Sequence, residues 1–178
     1  IALVSWARRC VYETDYLLSQ IFVIICFIVV FKLAEEFFKN KVFSLLGDGE
    51  LSEGSVWEAC TTASKYHLDN LIVIIDRNDL QITGKTEEVN PIEPIDKKFE
   101  SFGFETILTN GNNISDLLNV LKKLPIKRGK PTVIIAKTTK GSGVSFIENQ
   151  INWHHKVPSE DEYGRAISEL NEKLNSYE

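Results

Sequence analysis

The sequence predicts an α/β fold, a parallel sheet with helices on both faces. Three observations carry this expectation. The runs "LIVIID" (71–76) and "PTVIIAKT" (131–138) are of strand length, β-branched and apolar, as strands covered on both faces are. Segments of helical period lie between such runs, and alternating strands and helices imply parallel pairing through crossovers. With 178 residues, 43% hydrophobic and 25% charged, the chain suits one globular domain with a real core.

The elements follow in order. "KVFSLL" (41–46) reads as a buried strand that runs into Gly47-Asp48-Gly49. Ser52 to about His67 reads as a helix with Ser52 as its N-cap, and His67 places a favourable charge near the helix C-terminus. "LIVIID" is the second strand, followed by a polar loop, "RNDLQITGKTEEVN". A short helix near 94–102, a strand "FETIL" (104–108), a helix "ISDLLNVLKKL" and the strand "PTVIIAKT" come next. "PSEDEYGRAISELNEKL" closes the pattern as a helix. It carries a capping box, Ser159 with Glu162, and an apolar stripe at Tyr163, Ala166, Ile167, Leu170 and Leu174.

The first 46 residues are unlike the rest, holding none of the 10 glycines and none of the 5 prolines. Their centre, "IFVIICFIVVF" (21–31), is 11 apolar residues long. A membrane-spanning helix needs about 20, so a buried helix or strand is the first expectation, with a divergent start or a membrane segment as the alternatives. Cys10, Cys26 and Cys60 have neither zinc nor disulfide spacing, which fits a reducing cytoplasm. A net charge of −5 and a pI near 5.3 argue against nucleic acid as partner. The cluster Lys122, Lys123, Lys127, Arg128 and Lys130 reads as a solvated face.

Gly47-Asp48-Gly49 has two readings, an ordinary turn or a carboxylate offered to a cation beside phosphate. Asn78 favours the second. It stands thirty residues after Asp48, also just past a strand, with one helix between. A parallel crossover sets such strand ends side by side, and ligands of open α/β sheets bind outside the carboxyl ends of the strands. A carboxylate, an amide oxygen and a backbone carbonyl form a hard-oxygen set suited to magnesium. The flanking glycines let backbone approach a diphosphate closely. As a loop carboxylate, Asp48 is expected to contribute little to the core.

The stretch "GDGELSEGSVWEACTTASKYHLDNLIVIIDRNDLQITGKTEEV" resembles the thiamine diphosphate motif, GDG followed about thirty residues later by Asn. In detail it is similar to transketolase, especially the short N-terminal subunit of split transketolases. "KPTVIIAKTTKGSGVSFIEN" and "NWHHKVPSEDE" extend the likeness, which runs from about Phe31 to Leu170. Related enzymes, 1-deoxyxylulose-5-phosphate synthase and the pyruvate dehydrogenase α subunit, share GDG and Asn but resemble the "ELSEGSVWEA" stretch less well.

The resemblance implies a thiamine-diphosphate-binding fold over residues 41–178, preceded by a divergent apolar segment at 1–40. It implies Asp48, Asn78 and the carbonyl of Leu80 as ligands of Mg2+ or Ca2+. Gly47, Gly49 and Glu50 would lie beside the diphosphate, Ile82 by the thiazolium ring, and His154 would reach cofactor and substrate. Glu53 and Glu58 match glutamates of a carboxylate network between paired active sites. From the residues alone, Ile82 serves equally as core, Glu53 and Glu58 as solvated helix positions, and His154 with His155 as a surface pair. "GSG" (141–143) reads as a turn or as a loop over the site. His155 stands where the family usually has glycine, leaving open which histidine faces the cofactor.

The family precedes its GDG strand with a glycine-rich loop and further histidines. Here no glycine precedes Gly47 and no histidine precedes His67, so that part reads as divergent or missing. The implied activity is transfer of a two-carbon ketol unit between sugar phosphates. It would need a C-terminal subunit bearing the pyrimidine-binding domain, in a homodimer of heterodimers in the cytoplasm. The alternatives are another thiamine diphosphate enzyme, such as 1-deoxyxylulose-5-phosphate synthase, and a non-catalytic remnant.

Overall fold

The computed structural model describes residues 40–175. The segment assigned to 1–40, the apolar run 21–31, Cys10 and Cys26 lie, apart from residue 40 itself, outside the described residues. The described chain runs β1 (Val42–Gly47), a 3-10 turn (Asp48–Ser52), α1 (Gly54–Lys65), β2 (Leu71–Arg77), β3 (Leu80–Gln81) and β4 (Gly84–Lys85). It continues with α2 (Thr86–Val89), α3 (Ile95–Ser101), β5 (Glu105–Asn110), α4 (Ile114–Leu121), β6 (Thr132–Lys137), a 3-10 turn (Ile151–His154) and α5 (Glu160–Asn175).

The main sheet has the order β1-β2-β6-β5, and every pair in it is parallel. Its register sets Val73 beside Ser44 on one side and Val133 on the other. This places the two most apolar strands, β2 and β6, in the middle, where both faces are covered. One face packs under α1 and α3, with Val56, Cys60, Ala63, Ile95 and Phe99 against Val73, Ile75, Val133 and Ile135. The other packs Val120, Leu121 and Leu124 against Ile72 and Ile134. Helices therefore lie on both faces, as expected.

This arrangement also locates a crevice. The chain leaving β2 goes to the α1/α3 face, and the chain leaving β5 goes to the α4 face. The connections therefore diverge just past the carboxyl end of β6, which is where such sheets bind ligands.

Four local expectations change. Ser52 does not cap α1: it ends the 3-10 turn, Glu53 takes the N-cap position without a side-chain bond, and the helix is shorter than 52–67. Ser52 Oγ instead accepts a 2.8 Å hydrogen bond from Asn90 Nδ2. The loop after β2 contains a small antiparallel hairpin, β3–β4, and the single-turn helix α2. β2 runs one residue further than 71–76, so Arg77 is a strand residue rather than the start of a loop. On α5 the capping box forms as expected, with Ser159 N–H donating to Glu162 Oε2 and Glu162 N–H to Ser159 Oγ. Its apolar stripe, however, buries no residue fully.

Candidate functional site

The 3-10 turn after β1 is held from beneath. Leu51 is buried, and its carbonyl accepts a 3.0 Å hydrogen bond from Trp57 Nε1. Trp57 in turn stacks on Phe102 at 5.4 Å and touches Phe99 at 5.2 Å, fixing the turn to α1 and α3. Glu50 folds back to accept from the N–H of Gly47.

Asp48 leads inward from this anchored turn and is only 1% exposed. Its Oδ2 accepts from the backbone N–H of Asp79 at 2.7 Å and from Arg77 Nη1 at 2.9 Å. Its Oδ1 accepts from the hydroxyl of Thr86 at 3.1 Å. The carboxylate expected to lie apart from the core is therefore among its most buried polar groups. The reason is Arg77, a buried cation that requires a buried anion.

Arg77 is 4% exposed and gathers carboxylates from four places along the chain. Asp48, Glu87 and Glu93 lie 2.9, 3.0 and 3.0 Å from its guanidinium, and Asp79 lies at 3.2 Å. Burial disfavours its charge. The hydrogen bond to Asp48 and the charges of Asp79 and Asp48, with the bond to Glu93, outweigh that and hold its pKa above the ordinary value. Sequence reasoning missed Arg77, Thr86, Glu87 and Glu93. The available signal was a charge directly continuing a buried apolar strand.

The turns after β1 and β2 thus meet, as their positions in the sequence suggested. Asn78 Oδ1 accepts from the N–H of Leu80 at 3.1 Å, a local turn that keeps the amide at the strand end. Asn78, Asp79 and Leu80 line a cavity of about 900 Å³, together with Lys85, Asn110 and Lys137. Ile82 sits at the tip of the β3–β4 hairpin and is 52% exposed, so it is not a core residue. Gly49 packs against β3: a Cβ there would come within 2.9 Å of Gln81 Oε1 and 3.0 Å of Gln81 Cβ.

His154 ends the second 3-10 turn, which contacts β3 and so lies beside the same strand end. It is half-buried while His155 is exposed, their rings meeting edge-on at 4.5 Å. Glu53 and Glu58 are both exposed on α1 and its N-cap. The "GSG" stretch forms a turn, with Ser142 N–H donating to the Thr139 carbonyl and Gly143 N–H to Glu148 Oε1. Just beyond it Ser145 donates to Glu169 through N–H and hydroxyl, and Arg165 lies 4.6 Å over the Phe146 ring. At Gly143, φ is +106° and a Cβ would press on Leu170.

The joined turns bring together oxygens of the kind hard divalent cations take, the Asp48 carboxylate, the Asn78 amide oxygen and the Leu80 carbonyl. Asp48 lies behind the cavity wall rather than on it; its Oδ2 already takes Arg77 and Asp79 N–H, which leaves Oδ1, bonded to Thr86, as the oxygen with capacity to spare. Among the described residues no group of three or more His, Cys, Asp or Glu side chains is placed to hold a metal. No helix of the described residues is long and apolar enough to cross a membrane.

Comparison with known proteins decides the family. The transketolase, thiamine diphosphate binding domain family matches residues 30–174. The chain belongs to this family. It is 50% identical to one subunit of the apulose-4-phosphate transketolase of Actinobacillus succinogenes, over 76% of this chain and 49% of that protein. It is 36% identical to the 6-deoxy-6-sulfo-D-fructose transketolase subunit SqwG of a Clostridium species over 74% of this chain and 48% of the relative. Among solved structures, transketolase from Campylobacter jejuni superposes with a TM-score of 0.69 at 33% identity, covering 75% of this chain and 21% of that one. The chain thus spans about half the length of these two curated transketolase subunits.

Proposed function

We propose that this transketolase-family chain holds the metal and diphosphate of thiamine diphosphate as the N-terminal subunit of a split transketolase. With a partner carrying the pyrimidine-binding domain, it would transfer a two-carbon ketol unit from a ketose phosphate to an aldose phosphate, in the cytoplasm. The observation that carries this reading is the 2.7 Å bond from Asp79 N–H to Asp48, which joins the two turns bearing the oxygen donors. The names of the relatives support it, being subunits of transketolases. The same names disfavour a deoxyxylulose-phosphate synthase.

When bound, thiamine diphosphate supplies the nucleophilic carbon and electron sink that ketol transfer needs. The residues of this chain bind and orient it. Asp48, Asn78 and the Leu80 carbonyl would hold Mg2+, which would neutralise the diphosphate charge. Gly49 would present backbone to the diphosphate, and Glu50 stiffens that turn by taking the N–H of Gly47. Ile82 offers exposed apolar surface for a ring, and His154, half-buried in the turn beside β3, would reach the phosphate side. Glu53 and Glu58, both exposed, would face a second active site in a homodimer of heterodimers.

Titration calorimetry of thiamine diphosphate into the chain, with and without Mg2+, tests the reading. Metal-dependent binding is the expected result. Binding that ignores the metal would remove the assigned ligands, and no binding even with a partner subunit would favour a non-catalytic remnant.

A further inference from the structure

The donor set explains Asp48 and Asn78 but not why a buried arginine stands directly behind them. Arg77 Nη1 bonds the carboxylate of Asp48, while Nη2 bonds Glu87 and Glu93, and Nε also bonds Glu93. Glu87 belongs to α2 and Glu93 precedes α3; each is also tied to backbone, Glu87 to the N–H of Ile92 and Glu93 to that of Ile95. One planar guanidinium thus links the GDG turn to the segment 86–95. Only a forked, always-charged side chain has the donors to do this.

We propose that Arg77 is a positioning residue for the metal ligand Asp48, holding its carboxylate beside Asn78 and Leu80 before any cation arrives. This inference rests on the proposed function. Asp48 has few other restraints, Thr86 on one oxygen and Asp79 N–H on the other, and without Arg77 its rotamer is set by those two neutral donors. Prearrangement removes an ordering cost from binding. Charge alone argues the opposite way: a cation 2.9 Å from a metal ligand repels the metal, so deleting it would tighten binding. The sign of the effect therefore separates positioning from simple electrostatics.

The test uses the full chain with Mn2+ and thiamine diphosphate, following bound manganese by electron paramagnetic resonance alongside thermal unfolding. Arg77→Met is expected to weaken manganese binding by the folded protein at least tenfold, and Arg77→Lys to fall between it and the unsubstituted chain. If Arg77→Met does not fold, the paired change Glu87→Gln with Glu93→Gln loosens the clamp without touching Asp48 and is expected to weaken binding several-fold. Unchanged or tighter manganese binding in the folded Arg77→Met protein overturns the inference, even if its melting temperature falls. If the unsubstituted chain shows no manganese-dependent cofactor binding even with a partner subunit present, the proposed function itself fails and the inference falls with it.

Discussion

Asp48 Oδ2 accepts a 2.7 Å hydrogen bond from the N–H of Asp79, stitching the end of β1 to the end of β2. The same oxygen takes the Arg77 guanidinium, so Asp48 serves the fold as well as any ligand. Asp48→Asn keeps the shape but removes the charge, leaving Arg77 with Asp79, Glu87 and Glu93. Urea unfolding is expected to show a loss of about 1–3 kcal/mol, below the full cost of stranding a buried charge because three partners remain. Magnesium-dependent cofactor binding should disappear in the same protein. An unchanged unfolding midpoint would show that the buried pair does not stabilise the fold.

Gly49 gives a second, independent handle on the joint. A methyl group there meets both Oε1 and Cβ of Gln81, and the Cβ cannot swing away as a side-chain end can. Gly49→Ala should therefore push β3 off the turn and cost about 1–3 kcal/mol, the usual range for overpacking. The double change Gly49→Ala with Gln81→Ala should recover part of that loss. Additive losses in the cycle would mean the two positions do not press on each other.

What the sequence made legible divides along physical lines. β2 and β6 announce themselves because strands buried on both faces are apolar throughout, and the crossover between β1 and β2 makes Asp48 and Asn78 neighbours. Arg77 was not legible. Its burial depends on Glu87 and Glu93, 10 and 16 residues away, which read locally as ordinary polar loop and helix positions. The hairpin β3–β4 was missed for a similar reason: each strand is two residues long, too short for any period to show. Ser52 looked like an N-cap because the 3-10 turn that displaces the helix start leaves no pattern of its own. The stripe on α5 has helical period, yet period says nothing about what covers it.

Cys60 predicts an alkaline response. It is buried at 4% exposure on the inner face of α1, and desolvation pushes its thiol pKa up to about 12. In the unfolded chain the thiol ionises near its ordinary value of 9.0. The raised folded pKa means this contribution is fully present below pH 9 and is lost between pH 9 and about 12. The unfolding free energy should then fall by up to about 1.4 kcal/mol per pH unit relative to a Cys60→Ala protein, which lacks the group. Chemical denaturation of both proteins at about pH 8, 9.5 and 10.5 measures the difference; parallel curves would place the thiol in a wetter setting. At neutral pH, thiol reagents should reach Cys60 only on unfolding.

The last prediction concerns a partner chain, and it follows from which end of the cofactor this chain is proposed to hold. The oxygens of Asp48, Asn78 and Leu80 would hold the metal at the diphosphate end, while the rings would meet little more than Ile82, itself 52% exposed. Leu108, at 74% exposure, also leaves apolar surface on the rim of the cavity. At about 25 cal/mol per Å², burying the rings and this rim under another chain is worth several kcal/mol. Glu53 and Glu58 are exposed carboxylates that a paired site would supply with donors or protons from across the interface. The purified chain alone should therefore bind thiamine diphosphate weakly, show no ketol transfer, and associate with itself or a partner. Adding a chain with the pyrimidine-binding domain should tighten the cofactor at least tenfold, about 1.4 kcal/mol, and bring ketol transfer with it. Calorimetry and a coupled transfer assay, each with and without the partner, read both effects. Full activity from the chain alone would refute the division of labour between two chains. Tight binding without a partner would show that this chain buries the rings by itself.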